Sequence, residues 1–160
     1  MRKAVIDMGT NTFNLLIADV HDRSFECLYA TKEPVLLGMG GINDNRISEE
    51  AMARAHLAVK KFVRTCNAFH INKNNISAIG TSALRGASNS EDFVESMKRV
   101  FGVQVTIISG ADEANYIFKG VKWTHTFENP AVIMDIGGGS SEFIHANASG
   151  ILDLQSLDIG

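Results

Sequence analysis

The sequence has few of the residues and segments that mark several classes of protein. It contains only two cysteines in 160 residues, Cys27 and Cys66, and their spacing fits no metal-ligand motif. This cysteine usage favours a reducing, cytoplasmic compartment. The five histidines include no pair four residues apart, which argues against a histidine metal site. No apolar run approaches the ~20 residues needed to cross a bilayer, so we expect no membrane helix. The first apolar stretch is interrupted at Asp7, which argues against a signal peptide.

Positive charge is also sparse. The net charge is −3, and lysines and arginines are spread along the chain with no run longer than two. Because a nucleic-acid-binding surface requires a basic patch, the charge distribution argues against a nucleic-acid partner. Binding of a polyanion would depend instead on backbone dipoles, a divalent cation and a few placed cations. The apolar content of 45% and charged content of 21% are ordinary for a globular protein.

One loop is present twice. Residues 4–16 read AVIDMGTNTFNLL, and residues 132–144 read VIMDIGGGSSEFI. Each segment is an apolar strand that ends in Asp-x-Gly and is followed by two small residues, a Thr or Ser, and a second strand. The matched positions lie 128 residues apart: Asp7 with Asp135, Gly9 with Gly137, and Thr12 with Ser140.

This repeat predicts a phosphate site. Glycine-rich turns allow backbone N–H groups to approach an anion, because no Cβ blocks them. An Asp at the end of the preceding strand can hold Mg²⁺ against phosphate oxygens. Two such loops facing each other would form a two-sided clamp for a chain of phosphates.

The hydrophobic periodicity predicts an α/β fold. Alternating or continuous apolar residues predict strands over 3–7, 13–20, 25–31, 76–80, 103–107, 131–135, 141–146 and 151–157. Three helices are expected after the N-cap residues Ser48, Ser88 and Ser109, the first of them reaching residue 68. A loop covers residues 38–46. Three strands followed by alternating helices and strands indicate a mixed sheet with helices on its faces.

The order of elements indicates a duplication. The strands from residue 131 onward repeat the first three strands of the chain. We therefore expect a first domain over 1–130 and the opening strands of a second domain over 131–160, with 124–130 as the boundary.

Four motifs together resemble one protein family. They are DMGTNT (7–12), GTSALRGASN (80–89), ISGADEANYIFKGV (108–121) and DIGGGSSEF (135–143). In this order and spacing they resemble the exopolyphosphatase / guanosine pentaphosphate phosphatase family of the actin-like, ribonuclease H-like superfamily. The resemblance runs through the whole sequence. It implies an actin-like domain with a mixed five-stranded sheet and flanking helices, plus the first strands of a duplicated second domain.

The resemblance also implies an activity. Members of the family hydrolyse the terminal phosphoanhydride of inorganic polyphosphate or guanosine pentaphosphate with Mg²⁺, in a cleft between two duplicated domains. It further implies that the intact chain continues beyond residue 160, and a homodimer formed through that C-terminal part is an expectation. Two alternatives remain open: a non-catalytic sensor of polyphosphate or a nucleotide, and an ATP-binding protein of the actin or sugar-kinase type.

Glu113 is the residue that the resemblance implies as the group activating water. Phosphoanhydride hydrolysis needs such a group. At ~100° per residue, Glu113 lies at the edge of the apolar stripe of its helix, whereas Asp112 points away and occupies a capping position. The alternative for Glu113 is a solvated carboxylate on the helix surface.

Three further residues are candidate catalytic groups by the same resemblance. Asp135 and Glu142 would hold Mg²⁺, and Arg85, in the loop after strand 76–80, would contact phosphate through its planar fork. Each also has a simpler explanation. Asp135 could form its own turn, Glu142 could face solvent on an edge strand, and Arg85 could be an ordinary surface residue.

The remaining candidates are the phosphate-binding residues of the two loops. They are Asp7, Gly9, Thr10, Asn11 and Thr12 in the first, and Gly137, Gly138, Gly139 and Ser140 in the second. A hairpin turn with Asn11 in a left-handed conformation is the structural alternative. The sequence departs from the family at Asn115 and Leu36, where arginines are common, and at Gly86, where an acidic residue is frequent. These departures leave substrate preference open.

Overall fold

The computed structural model describes residues 1–22, 24–40 and 45–160. Part of the predicted loop over 38–46, residues 41–44, therefore lies outside the described residues. The chain divides into two compact units, Met1–Ile107 and Ile108–Gly160. In the described part of the chain, no helix is long and apolar enough to span a membrane.

The first unit contains a five-stranded mixed sheet. Its strands are β1 (Arg2–Met8), β2 (Thr12–Val20), β3 (Phe25–Pro34), β4 (Ile76–Gly80) and β5 (Val105–Ile107). They lie in the order β3-β2-β1-β4-β5. β1, β2 and β3 are antiparallel neighbours, and β1, β4 and β5 are parallel neighbours. The carboxyl ends of β1 and β4 consequently meet at one edge of the sheet.

In the described residues three α-helices accompany this sheet, α1 (Glu49–Ala68), α2 (Ser82–Gly86) and α3 (Ser90–Phe101), and a short 3-10 helix covers Lys73–Asn75. Alternate residues of β1, among them Ile6 and Met8, are fully buried in one core with Phe62 of α1 and Phe93 of α3. The strand period of two and the helix period of 3.6 bring these side chains to one interior, as the sequence predicts. Ser48 caps α1, since its Oγ accepts from the Ala51 N–H at 3.2 Å.

The predicted start of α3 is wrong by one residue. The N-cap is Asn89, not Ser88, and its side chain does not cap the helix. The Asn89 amide instead pairs with the backbone of Ile47, accepting from its N–H at 2.9 Å and donating to its carbonyl at 3.0 Å. A contact between residues 42 positions apart thus outweighs the local capping pattern.

The second unit contains α4 (Gly110–Thr124) and a three-stranded antiparallel sheet. The strands β6 (Ala131–Ile136), β7 (Ser141–Ala146) and β8 (Ile151–Leu157) lie in sequence order. Ala114 and Phe118 of α4 pack against Ile144 and Ala146 of β7. Because α4 packs on this sheet, the compact units divide before the helix. The expectation that the duplicated domain begins near residue 131 concerns the sequence repeat, and it stays a prediction.

Candidate functional site

The two predicted loops are tight turns closed by the same backbone hydrogen bond. The Gly9 N–H donates to the Thr12 carbonyl at 3.1 Å, and the Gly137 N–H donates to the Ser140 carbonyl at 2.9 Å. A Cβ added at either glycine would lie 3.0 Å from that same carbonyl oxygen. The close approach of the backbone therefore explains why glycine stands at the matched position of each loop.

The repeat extends into the strands that flank the loops. Asp7 lies opposite Asn14 across β1 and β2, and Asp135 lies opposite Glu142 across β6 and β7. The Asn14 Nδ2 donates to Asp7 Oδ2 at 3.0 Å. Asn14 was not among the predicted site residues, although the 128-residue repeat places it at the position of Glu142. A register shift recurs at the matched place, between Ile17 and Ala18 and between His145 and Ala146.

The chain that follows β3 holds the carbonyl groups of the first loop. The N–H groups of Val35 and Leu36 both donate to the Asn11 carbonyl at 2.9 Å, and the Leu37 N–H donates to the Thr10 carbonyl at 2.7 Å. The left-handed conformation considered for Asn11 is not adopted. It occurs at Leu36, whose φ is 51°.

These bonds orient the N–H groups of the loop. No cis peptide is present among the described residues, and in a trans peptide the N–H points opposite to the preceding carbonyl. The N–H groups of Asn11 and Thr12 therefore face away from residues 35–37. Such backbone donors form an anion-binding surface, which suits the predicted phosphate role of this loop.

Arg85 lies at the same edge of the first sheet as this loop. It belongs to the short helix α2, which corrects the prediction of a loop after β4. The Thr81 N–H donates to the Met8 carbonyl at 3.3 Å and so ties the start of α2 to the end of β1. Leu84 is fully buried, and a Cβ on Gly80 would lie 2.5 Å from its Cδ1. Arg85 is half-buried, with its Nη2 atom inaccessible to solvent.

In the second unit, Glu142 is a buried carboxylate on the central strand. Its residue is 1% exposed, which excludes the alternative of a solvent-facing edge strand. The Ser156 hydroxyl donates to Glu142 Oε1 at 2.8 Å. Asp135 is exposed and, being directly opposite, points to the same face of the sheet as Glu142.

Glu113 lies in the first turn of α4, next to Ala114, which packs on this sheet. Glu113 is half-buried, whereas Asp112 is exposed. Ser109 caps the helix: its Oγ accepts from the Asp112 N–H at 3.1 Å and donates to Asp112 Oδ2 at 2.6 Å. The helix phase predicted for these two carboxylates is therefore confirmed, and their chemical roles stay predictions.

The carboxylates of the second unit fit a magnesium ion in part. Mg²⁺ in phosphate-handling sites is commonly held by one or two carboxylates, with waters and substrate oxygens as the other ligands. Asp135 and Glu142 supply two such groups on one face. Over the ranges that the structure describes, no cluster of three or more His, Cys, Asp or Glu side chains could hold a metal alone. The donor set therefore suits an ion that keeps water and phosphate ligands.

Comparison with known proteins gives the family and the fold. The Ppx/GppA phosphatase family matches residues 16–160. The crystal structure of an exopolyphosphatase from Cytophaga hutchinsonii is 43% identical, with a TM-score of 0.95 over 100% of this chain and 51% of that one. A PPX-GPPA enzyme of Aquifex aeolicus is 28% identical, with a TM-score of 0.85 over 100% of this chain and 53% of that one.

A more distant similarity concerns the fold alone. The ethanolamine utilization protein EutJ from Carboxydothermus hydrogenoformans is 14% identical, with a TM-score of 0.55 over 100% of this chain and 53% of that one. The expected architecture is confirmed: an actin-like, five-stranded mixed sheet with flanking helices, followed by the strands of a partial second domain. The chain spans about half the length of the solved structures that it matches. With its family matched from residue 16 to residue 160 and its fold shared throughout, the chain belongs to the Ppx/GppA phosphatase family.

Proposed function

We propose that this chain supplies phosphate-binding and water-activating residues of a phosphoanhydride hydrolase. Its substrates are inorganic polyphosphate, guanosine pentaphosphate or both, and the product is the released terminal phosphate. The observation that carries the proposal is the repeated glycine loop, closed in each copy by the same hydrogen bond and preceded by an Asp at the same register position.

Phosphate binding is assigned to the two loops and Arg85. Asn11 and Thr12 present backbone N–H groups that face away from residues 35–37, and Thr10 and Thr12 add hydroxyl groups. Asp7, Gly9 and the second loop (Gly137, Gly138, Gly139 and Ser140) complete this set. Arg85 adds a planar, doubly donating cation at the edge where β1 and β4 end. Backbone donors and one arginine suit a chain whose net charge is −3.

Metal binding is assigned to Asp135 and Glu142. A bound Mg²⁺ would neutralise negative charge on the phosphate oxygens. The protein's own contribution is to present the two carboxylates on one face, with the Ser156 hydroxyl fixing one oxygen of the buried Glu142. That hydrogen bond limits the rotation of the Glu142 side chain, as supporting partners of metal ligands commonly do.

Water activation is assigned to Glu113. A carboxylate in this role orients the attacking water and accepts its proton as the phosphoanhydride bond breaks. Glu113 is half-buried at the edge of the packed face of α4. Asp112, its neighbour, is bonded to the Ser109 hydroxyl and has a helix-capping role.

The test is phosphate release by the full-length protein. Purified protein is incubated with long-chain polyphosphate or guanosine pentaphosphate, each with Mg²⁺ and with excess chelator, and free phosphate is measured. We expect release from polyphosphate, because the Cytophaga relative is described as an exopolyphosphatase, and loss of release with the chelator. No release from either substrate would contradict the hydrolase. If a substrate still raised the melting temperature in that case, a phosphate sensor would be the better explanation.

A further inference from the structure

Arg54 of α1 makes contacts that the proposed function does not use. Its Nε donates to the Val35 carbonyl at 2.7 Å, and its Nη2 donates to the Leu36 carbonyl at 2.8 Å. One planar guanidinium thus holds two consecutive carbonyl groups. Lysine cannot reproduce this contact, because its ammonium is a point charge without a fixed fork.

The two residues that Arg54 holds also contact the first loop. Val35 and Leu36 donate their N–H groups to the Asn11 carbonyl, each at 2.9 Å. Arg54 therefore contacts the proposed phosphate-binding loop indirectly, through Val35 and Leu36, which bond to the loop. Arg54 binds the carbonyl groups of Val35 and Leu36, whereas the Asn11 carbonyl accepts from their N–H groups.

The conformation of Leu36 shows that this segment is under constraint. Its φ of 51° is a left-handed conformation, which is unfavourable for a residue with a branched side chain. Such conformations persist only where the surrounding contacts enforce them, and they are common at functional sites. Both backbone groups of Leu36 are held here: its N–H donates to Asn11, and its carbonyl accepts from Arg54.

We propose that Arg54 is a positioning residue for phosphate binding. It fixes residues 35–37 in the conformation in which their N–H groups donate to the carbonyl groups of Thr10 and Asn11. The N–H groups of Asn11 and Thr12 are thereby kept on the side that receives phosphate. This inference rests on the phosphate-binding role proposed above for the first loop.

The test compares three variants of the full-length protein. Arg54→Gln removes both hydrogen bonds, Arg54→Lys keeps the charge and the aliphatic stem, and Arg64→Gln makes the same change at an exposed position of α1. Affinity for polyphosphate with Mg²⁺ is measured as KM in the active protein. It is also measured as Kd in a Glu113→Gln background, where turnover is removed.

We expect Arg54→Gln to raise both KM and Kd about tenfold, since hydrogen bonds to a charged group are at stake. Its kcat should change less than KM, because Arg54 does not contact the reacting atoms. Arg54→Lys should lie between wild type and Arg54→Gln, and Arg64→Gln should remain within about twofold of wild type.

Two results would overturn the inference while leaving the hydrolase in place. One is a folded Arg54→Gln protein that binds polyphosphate as tightly as wild type. The other applies if Arg54→Gln does not fold: an Arg54→Lys protein that binds polyphosphate as tightly as the Arg64→Gln control. A wild-type protein that neither binds nor hydrolyses polyphosphate or guanosine pentaphosphate would instead contradict the proposed function, and the inference with it.

Discussion

Glu142 and Asn14 occupy the same position of the repeated hairpin, but they differ in charge and burial. Glu142 is 1% exposed and accepts a hydroxyl hydrogen bond from Ser156, whereas Asn14 is exposed and donates to Asp7. Burying a carboxylate is costly unless it is compensated. A compensating cation at Asp135 and Glu142 would explain why only the second copy of the hairpin keeps two facing carboxylates.

The substitution Glu142→Gln tests this assignment. The side chain keeps its shape and an oxygen that can accept from Ser156, so we expect the fold to be retained. Loss of the charge should raise the Mg²⁺ concentration required for half-maximal phosphate release by at least about tenfold. Glu128→Gln, the same change at an exposed site, is the control. An unchanged Mg²⁺ requirement in the Glu142 variant would remove Glu142 from the metal site.

The two cysteines test the packing of α1 independently of activity. Cys66 is buried in the core, and burial raises the pKa of its thiol to about 11. Since the thiolate is the reactive form, iodoacetamide at pH 8 should label the exposed Cys27 and leave Cys66 unmodified, as measured by peptide mass spectrometry. Both should react in denaturant. Equal labelling of the two cysteines in the native protein would show that α1 is not packed as described.

The pKa of Cys66 also bears on stability. Because the pKa of this thiol is higher in the folded than in the unfolded protein, the stability that Cys66 contributes falls as the pH rises above the ordinary value of 9.0.

At the scale of elements, the sequence predicts strands and long helices well and local contacts poorly. Among the described residues, periodicity places all eight strands and three of the four α-helices, because burial of one face dominates their free energy. The caps at Ser48 and Ser109 are confirmed. Two local predictions are wrong. The predicted cap at Ser88 is absent, since Asn89 pairs instead with the distant residue Ile47. The predicted loop around Arg85 is a short helix, in which Leu84 packs closely over Gly80.

The contact between Gly80 and Leu84 carries a prediction about α2. Gly80→Ala would place a Cβ 2.5 Å from Leu84 Cδ1, so either the buried Leu84 side chain or the helix that carries Arg85 must shift. We expect a loss of roughly 1–3 kcal/mol of stability, together with a raised KM for polyphosphate. Gly86→Ala is the matched control, because nothing lies within 4 Å of its added Cβ. Thermal unfolding and steady-state kinetics measure both effects. Equal behaviour of the two variants would show that Gly80 does not position α2.

The sequence predicts which residues are candidates for the site better than it predicts the residues that hold them in place. The repeat and the family resemblance identify the two loops, Asp135, Glu142 and Glu113, because these residues recur in motifs. Residues 35–37 and Arg54 leave no such pattern. Their contribution is made through backbone hydrogen bonds between segments far apart in sequence, and these depend on the folded chain.

At the scale of the whole molecule, each of the two compact units contains the same β-hairpin, but the functional side chains around the hairpin differ. The first unit adds Arg85 and a backbone donor surface to its loop, and the second adds two facing carboxylates and the half-buried Glu113. The predicted duplication would explain the shared turn, the shared register and the matched register shift. In the proposed hydrolase, the shared loops would bind phosphate, and the side chains that differ between the copies would supply the cation, the metal ligands and the water-activating carboxylate.

The central claim is that Glu113 activates water, and the most direct measurement compares Glu113→Gln with Asp112→Asn. These changes remove one charge each from adjacent residues of the full-length protein. We predict that kcat for phosphate release from polyphosphate falls at least about 100-fold in Glu113→Gln, with KM within about threefold of wild type. Asp112→Asn should keep kcat within about threefold, since its carboxylate bonds Ser109. A folded Glu113→Gln protein with wild-type kcat would contradict the account.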